Sequence, residues 1–387
     1  MTGFHGQPHH KMQIRLYRFL VQLILFISIL ATLLVKEAVP ASAEDGERSV
    51  EASSARLAEN ESALEIDTPT LERMEKIAEA YRRRGLYSYA EAIIQDVFEI
   101  RQKLKGPDDS EMAYYHNDLG LLQAEQGRYP EAEKHYLRAI AITEKHWGTN
   151  HPDLADQLNN LAGVYRSQAR FAEAEAAYQR AIAILEKYAG PDNTDVAVAL
   201  NNLGGLYAVQ GQLTLAETLF ERALRIGEKS LRPDSIEITT AVNNLAWVYN
   251  KRGKHPQAKV LYRRVVEIWA GVYGPEHPDV ALGLNNLAGV YRAMNDAGSA
   301  ELLYQRSLAI RQRVLGREHP DVATTLKNLA ELYRDRGLYE KAEPLYQRAV
   351  QITEKALGTT HPDTIEIRAA YARHAGSSNP VGWSDAD

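Results

Sequence analysis

The chain has 387 residues, of which 45% are apolar and 25% are charged, and its formal net charge at pH 7 is −6. This composition is ordinary for a folded soluble protein, and the acidic balance disfavours a protein that grips nucleic-acid phosphates. Cysteine is absent, which excludes disulfides, thiolate nucleophiles and cysteine-based metal sites and is compatible with export to an oxidising compartment.

The N-terminal region has the order of a secretory signal peptide. Three basic residues precede an apolar run of 17 residues over 19–35, and Ala41 and Ala43 match the small-x-small cleavage rule. We therefore predict a signal peptide over residues 1–43 and a periplasmic or secreted mature protein. The run is close to the shortest that spans a bilayer, so an uncleaved anchor, with the rest of the chain outside the cytoplasm, is the alternative. Residues 44–67, rich in Glu, Ala and Ser, are predicted to be a flexible linker.

A repeat of 42 residues organises the chain after the linker. Asn-Asn-Leu recurs at 159–161, 201–203, 243–245 and 285–287, and His-Pro-Asp recurs at 151–153, 277–279, 319–321 and 361–363. These spacings predict seven units, at 69–109, 110–151, 152–193, 194–235, 236–277, 278–319 and 320–361, and a capping helix over 363–375. Residues 376–387 are predicted to be a disordered tail.

Each unit has the pattern of two amphipathic helices. In the third unit the helical spacing is carried by Leu158, Leu161, Ala162 and Tyr165, and then by Ala174, Tyr178, Ala181 and Ile182. The turn between them contains Ala169, and four other units have glycine there, which predicts a backbone with positive φ. Because one unit cannot cover its own apolar face, the units are expected to stack into a solenoid.

The order of Leu158, Leu161, Ala162, Tyr165, Ala174, Tyr178 and Ala181 resembles the tetratricopeptide repeat (TPR). The 42-residue period, the Asn-Asn-Leu and the His-Pro-Asp corner are similar to the repeats of kinesin light chains and their bacterial relatives. This resemblance, over about residues 70–375, implies an all-α, right-handed superhelical solenoid of seven two-helix repeats plus a C-terminal capping helix. It also implies that the first helices line a concave groove.

Helical phase suggests which side chains face that groove. The row opposite the packed face contains Asn159, Asn201, Asn243 and Asn285, then Trp247 one turn further on, and then Arg166, Asn250, Arg292 and Arg334. An asparagine amide can pair with both groups of an extended peptide backbone, a tryptophan is a frequent interface anchor, and arginine binds carboxylates. These nine residues are the hypothetical peptide-binding site.

Structural readings of the same residues remain open. One asparagine of each pair could bond neighbouring backbone and set the stacking, and this alternative applies to the second asparagine (Asn160, Asn202, Asn244, Asn286 and Asn328) more than to the first. Trp247 could pack between units. The column Arg138, Arg180, Arg222, Arg264, Arg306 and Arg348 lies on the second helices and is expected to pair with glutamates as a solvated or inter-repeat feature.

No catalytic constellation, cofactor motif or metal motif is recognisable in the sequence. The four His-Pro-Asp corners lie one per unit, too far apart to share an ion, and are better explained as helix starts. We therefore predict a protein that is not an enzyme and needs no cofactor or metal.

The predicted function is a scaffold that binds an extended peptide or segment of an unidentified protein partner. A structural or assembly factor of the cell envelope and a non-catalytic accessory subunit of an enzyme complex are the alternatives. Nucleic acid is not an expected partner, and a membrane is expected only through residues 19–35 if they are uncleaved.

Overall fold

The structure, a computed structural model, describes residues 68–232 and 234–378, of which those from Leu71 onward form one compact unit. The predicted signal segment and linker, and the predicted tail beyond Ser378, lie outside the described residues. Within these ranges the fold consists of fifteen α-helices and one 3₁₀ helix without any strand, which confirms the all-α prediction. None of the helices described is both long and apolar enough to cross a membrane.

The helices alternate between a first and a second helix in each of seven units. The first helices are α1 (Thr68–Arg83), α3 (Glu111–Glu125), α5 (Asp153–Ser167), α7 (Thr194–Val209), α9 (Thr239–Lys251), α11 (Pro278–Ala293) and α13 (Pro320–Asp335). The second helices are α2 (Tyr87–Lys105), α4 (Tyr129–Trp147), α6 (Phe171–Ala189), α8 (Leu213–Ser230), α10 (His255–Tyr273), α12 (Ala297–Val314) and α14 (Tyr339–Leu357). A 3₁₀ helix, Ile236–Ile238, precedes α9, and α15 (Pro362–Ser378) is the last element.

The His-Pro-Asp corners begin helices through the histidine side chain. Nδ1 of His277 accepts a hydrogen bond from the backbone N–H of Asp279 over 3.2 Å, and His319 does the same for Asp321 over 3.2 Å. Asn193 occupies the equivalent corner of the fourth unit and caps α7 in the same way, through the N–H of Asp195. Each such side chain satisfies one of the unpaired N–H groups at a helix start, which confirms the helix-initiation interpretation.

The turns within the units use the predicted positive φ. Gly127, Gly211, Gly253 and Gly337 have φ between 72° and 75°. Ala169 and Asn295 adopt φ of 60° and 59° at the same position. The geometry is therefore imposed by the repeat, and alanine tolerates it at a cost because its Cβ crowds the backbone in this region.

The core is a stack of aromatic rings held against small residues. Tyr136, Tyr178, Phe220, Tyr262, Tyr304 and Tyr346, one from each second helix from α4 to α14, are among the largest fully buried side chains. Their partners on the first helices are alanine or glycine, and at Gly204 an added Cβ would lie 2.7 Å from the Phe220 ring. This close approach packs the two helices of a unit together, and one cluster of buried apolar residues extends over several units, from Ala132 to Ile268.

Two element boundaries differ from the predictions. The final helix ends at Ser378, three residues beyond the predicted end. Pro380 follows two residues later, and a proline disfavours helical backbone at the residue before it. The fifth unit opens with a 3₁₀ turn, and α9 starts only at Thr239. Its corner lacks a histidine or asparagine cap, and the Ser235 hydroxyl donates to the Glu237 carboxylate without capping the helix.

Candidate protein-binding surface

The first helices form the inner wall of the solenoid. Short side chains bridge them: Nδ2 of Asn202 donates to Oδ1 of Asn159 over 2.9 Å. Long side chains bridge the second helices, as between Arg222 and Glu186 at 2.5 Å. An asparagine pair spans a shorter distance than an arginine–glutamate pair, which indicates that successive first helices lie closer together than successive second helices. Contacts between successive first helices, among them α5–α7, α7–α9 and α11–α13, agree with this spacing.

The inter-repeat interpretation of the arginine column is confirmed for five of its six members; Arg306 forms no ion pair with the residues that the structure describes. Ion pairs between successive units join Arg138 to Asp108, Arg180 to Glu144, Arg222 to Glu186, Arg264 to Glu228 and Arg348 to Glu318. Because all these pairs are partly solvent-exposed, each contributes little to stability by itself.

Hydrogen bonds between asparagine side chains connect successive first helices along the inner wall. We call the series the ladder and each of its bonds a rung. The rungs run from the second asparagine of one unit to the first asparagine of the preceding unit: Asn160 to Asn117, Asn202 to Asn159, Asn244 to Asn201 and Asn328 to Asn285, at 2.9–3.2 Å. The stacking role foreseen for the second asparagine is therefore correct, but its acceptor is a side chain and not backbone. In Asn159 and Asn201 the side-chain carbonyl oxygen accepts the hydrogen bond of the ladder. The Nδ2 group of each residue is the donor that a partner protein could use.

Asn285 does not face a groove. Its side chain is 6% exposed, because Asn328 covers its carbonyl oxygen. The prediction that Asn285 contacts a partner segment is therefore wrong, since an amide paired and buried in the unit boundary is not accessible.

The ladder is interrupted at the fifth unit. Oδ1 of Asn243 is buried and has no hydrogen-bond partner in the described part of the chain, so the rung from Asn286 is missing. One helical turn on, Trp247 is 38% exposed, and Nζ of Lys251 lies 5.6 Å from its ring centroid. The residue is therefore partly exposed on the inner wall and partly covered by its neighbours.

Exposed apolar side chains lie on the first helices on either side of Trp247. Val198 and Val209 on α7 and Leu282 on α11 are exposed on the two neighbouring first helices. We call Val198, Val209, Trp247 and Leu282 the apolar patch. The residues equivalent to Trp247 in the adjacent units are Gly205 and Gly289, so the indole projects above a low surface. Gly205 is partly covered by Arg166, whose Nη1 would lie 3.3 Å from an added Cβ.

Two of the predicted arginine contacts require correction. Arg292 is ion-paired with Glu331 at 2.5 Å and Asp335 at 2.7 Å, and Arg334 with Asp335 at 2.9 Å. Their charges are already neutralised by carboxylates of the seventh unit, so they offer little to an acidic partner.

The other two polar residues of the predicted row differ in their availability. Arg166 has neither a hydrogen bond nor an ion pair with any residue in the described ranges, whereas Oδ1 of Asn250 lies 3.0 Å from Nδ1 of His255. Arg166 is therefore the one arginine of the predicted set that retains its charge for a ligand.

The sequence did not predict a cavity of about 240 Å³ at the first two units. Its polar lining is Glu75, Glu79, Arg82, Tyr114 and Asp118, and its apolar lining is Ala78, Ile94, Leu121 and Leu122. Glu75 and Asp118 stand where other units have the two asparagines of a rung. Burial raises the pKa of Asp118 to about 6, and the charges of Glu79 and Glu75 act in the same direction. The only sequence signal was the departure from Asn-Asn at 75–76 and 117–118.

No group of three or more potential metal-ligating side chains is present among residues 68–232 and 234–378. The nearest approach is a pair of half-buried imidazoles between α3 and α4, with Nδ1 of His116 and Nδ1 of His135 hydrogen-bonded at 2.9 Å. Burial lowers the pKa of both rings, that of His116 to about 4, so the pair is uncharged at neutral pH and serves as packing.

Comparisons with known proteins agree with this architecture. The sequence profile of the family described as Tetratricopeptide repeat matches residues 68–145, 153–229, 195–270, 237–313, 284–355 and 321–379. A search of curated proteins finds no match. The solved structure of BtubC (BKLC) from P. vanneervenii is 26% identical with a TM-score of 0.51, covering 61% of this chain and 93% of that chain.

Two further solved structures are similar. A tetratricopeptide repeat protein from Parabacteroides merdae ATCC 43184 is 17% identical with a TM-score of 0.51, covering 79% of this chain and 98% of that chain. A putative kinesin light chain from Podosopora anserina with nearly identical TPR-like repeats is 26% identical with a TM-score of 0.48, covering 54% of this chain and 98% of that one.

Proposed function

Because this chain belongs to the tetratricopeptide repeat family, in its kinesin-light-chain-like form, and is a protein–protein interaction scaffold, we propose that its inner wall captures an extended segment of a partner protein on the apolar patch around Trp247. Folds of this kind are typically non-catalytic scaffolds, and we propose that this chain acts by binding alone.

The exposed indole of Trp247 is the observation that carries the proposal. A tryptophan that is partly exposed among apolar neighbours leaves apolar area in water, and burying such an anchor contributes about 2–4 kcal/mol in typical interfaces. Val198, Val209 and Leu282 would widen the contact.

The amides beside the patch favour an extended segment. Oδ1 of Asn201 is bonded to Asn244, and its Nδ2 can donate a hydrogen bond to a backbone carbonyl of the segment. An extended chain presents N–H and C=O groups that are not already paired within the segment, as they would be in a helix.

Site-specific photocrosslinking tests which face binds. Val209 on the inner wall and Leu302 on the outer wall are both 67% exposed, so they are matched positions for p-benzoyl-phenylalanine. We expect a covalent adduct with a partner in vivo from position 209 but not from position 302, and its loss when Trp247→Ala is added. An adduct formed only from position 302 would favour an assembly role of the outer face instead.

We also propose that the mature chain functions outside the cytoplasm, on the support of the basic, apolar and small-residue order before Ala43. N-terminal sequencing of the chain recovered from cells tests this, since a start at Glu44 is expected. An intact N-terminus together with recovery in the membrane fraction would instead favour the anchor, and recovery of the intact chain in the cytoplasm would refute export.

A further inference from the structure

We propose that the captured segment carries a lysine or arginine side chain that enters the cavity between α1 and α3. This inference rests on the proposed function, because the cavity and the apolar patch lie on the same inner wall. It specifies the charge of the partner and the distance between its two contact residues.

The boundary between the first and second units lacks the side-chain hydrogen bond that connects first helices at most other boundaries. Elsewhere on the inner wall an amide donor meets an amide acceptor, as in the Asn202–Asn159 pair. At the first boundary the corresponding residues are Asp118 and Glu75, two carboxylates that offer acceptors and no donor. The pair can therefore not close as a rung, and the depression between α1 and α3 lies at this position.

The charge of Arg82 acts on Asp118, but no cation in the described part of the chain is bonded directly to Glu75 or Asp118. Arg82 also lines the cavity, but its Nε and Nη2 are both bonded to Glu79, at 2.7 and 2.9 Å. Glu75 accepts a hydrogen bond from the Tyr115 hydroxyl at 2.6 Å. Neither Glu75 nor Asp118 forms an ion pair with any residue that the structure describes. Partly buried carboxylates that lack a directly bonded counter-charge are stabilised by a cation that arrives with a partner.

At the C-terminal end of the ladder, by contrast, a charged residue is paired within the chain. There Lys327 replaces the first asparagine of the seventh unit, and its Nζ pairs with Glu366 of α15 at 2.6 Å. The chain thus neutralises its own charge at the C-terminal end of the inner wall. At the N-terminal end the corresponding base is missing.

The lining of the cavity suits the whole side chain of a lysine or arginine. Ala78, Ile94, Leu121 and Leu122 offer apolar contact to a methylene stem. Tyr114, which is 57% exposed, offers an aromatic ring to the cationic group. A purely apolar side chain would bury Asp118 further without compensation, and an acidic side chain would be repelled by it.

The two contact points fix a spacing. The cavity lies between the first and second units, and Trp247 belongs to the fifth, three to four units away. With about 9 Å between neighbouring packed helices, the separation is about 30 Å, which an extended chain covers in about ten residues. The partner segment is therefore expected to place its basic residue about ten positions from the apolar residue at Trp247.

Selection from a displayed library of random peptides of about 16 residues, a length sufficient for this span, tests the inference on the full chain. We expect the wild type to enrich peptides with a basic residue about ten positions from an apolar one. Asp118→Asn should remove the basic preference and keep the apolar one. It is not expected to unfold the protein, because it restores the amide found in other units. Glu125→Gln removes one exposed charge from the same helix without touching the cavity and should change neither preference.

A selected peptide then provides the quantitative measurement. We expect replacement of its basic residue by norleucine, or Asp118→Asn in the protein, to raise Kd about tenfold, and the two changes together to cost little more than either alone. Peptides that depend on Trp247 but show no basic preference, or a basic preference that survives Asp118→Asn, would overturn this inference and leave the proposed function standing. If no peptide is selected, or if selection is indifferent to Trp247→Ala, the proposed function fails and this inference with it.

Discussion

Asn244 donates its side-chain Nδ2 to Oδ1 of Asn201 over 3.0 Å, across the boundary between the fourth and fifth units. The next boundary carries the same residue types, Asn286 and Asn243, yet Oδ1 of Asn243 is left without a partner in the described chain. The same residue types thus form a hydrogen bond across one boundary and not across the next. The boundary without the bond involves Asn243, one helical turn before Trp247.

This difference predicts unequal costs for equal substitutions. Asn244→Ala should lower the free energy of unfolding by about 1–2 kcal/mol, because it leaves the half-buried carbonyl of Asn201 unpaired. Asn286→Ala should cost clearly less, because it removes no bond to Asn243. Urea unfolding followed by circular dichroism measures both, and equal costs would show that the rung contributes nothing.

A substitution in the turn of the third unit should increase the stability of the protein. Ala169 has a φ of 60°, where five equivalent units have glycine. Ala169→Gly should raise the free energy of unfolding by about 0.5–1 kcal/mol, since relief of the backbone crowding exceeds the added entropy of the unfolded chain. Asn295→Gly is the control and should change stability little, because asparagine tolerates this region. A thermal midpoint that falls in Ala169→Gly would contradict the argument.

At the boundary between the fifth and sixth units, we expect a larger residue in place of Gly283 to lower stability. A Cβ at Gly283 would lie 2.8 Å from Cγ2 of Val266 and 3.4 Å from the Trp269 ring. Gly283→Ala should therefore destabilise the protein by about 1 kcal/mol, as overpacking outweighs the gain in helix propensity. Gly163→Ala, where the nearest atom is 3.9 Å away, should instead stabilise by about 0.5–1 kcal/mol. The opposite signs, read from urea midpoints, are the test.

The buried imidazole pair predicts a loss of stability in mild acid. The pKa of His116 is lowered by burial from 6.5 to about 4, so the unfolded chain binds this proton more readily than the folded chain. Its contribution is complete above about pH 6.5 and is lost as the pH falls toward 4, by an amount on the order of 2 kcal/mol after allowance for solvent screening.

Two variants isolate this effect. In His116→Gln the loss between about pH 6.5 and 4 should shrink, because the titrating ring is gone. Asp118 acts with the opposite sign, since its raised pKa favours the folded state as the pH falls below about 6. Asp118→Asn should therefore steepen the acid loss, and an unchanged urea midpoint profile in both variants would exclude these groups as the cause.

The features that could be predicted from the sequence are local along the chain. The positive φ at Ala169 and at the equivalent glycines, the caps at His277 and His319, and the apolar periodicity of each helix depend on residues within a few positions of each other. Their geometry is set by backbone sterics and by helix hydrogen bonding. Seven copies of the same local pattern, none able to cover its own apolar face, are sufficient to indicate a solenoid.

Only the tertiary structure decided which inner-wall residues are available. Helical phase put Asn243 and Asn285 in the same row, but the side-chain carbonyl of Asn243 is left unpaired, whereas that of Asn285 is bonded to Asn328. Arg292 is neutralised by Glu331 and Asp335, and Asp118 meets Glu75 in a cavity, across boundaries that periodicity treats as equivalent. The physical reason is that pairing between units depends on the separation and tilt of neighbouring helices. The volumes of the packed side chains set these quantities at each boundary, and a 42-residue repeat does not encode them.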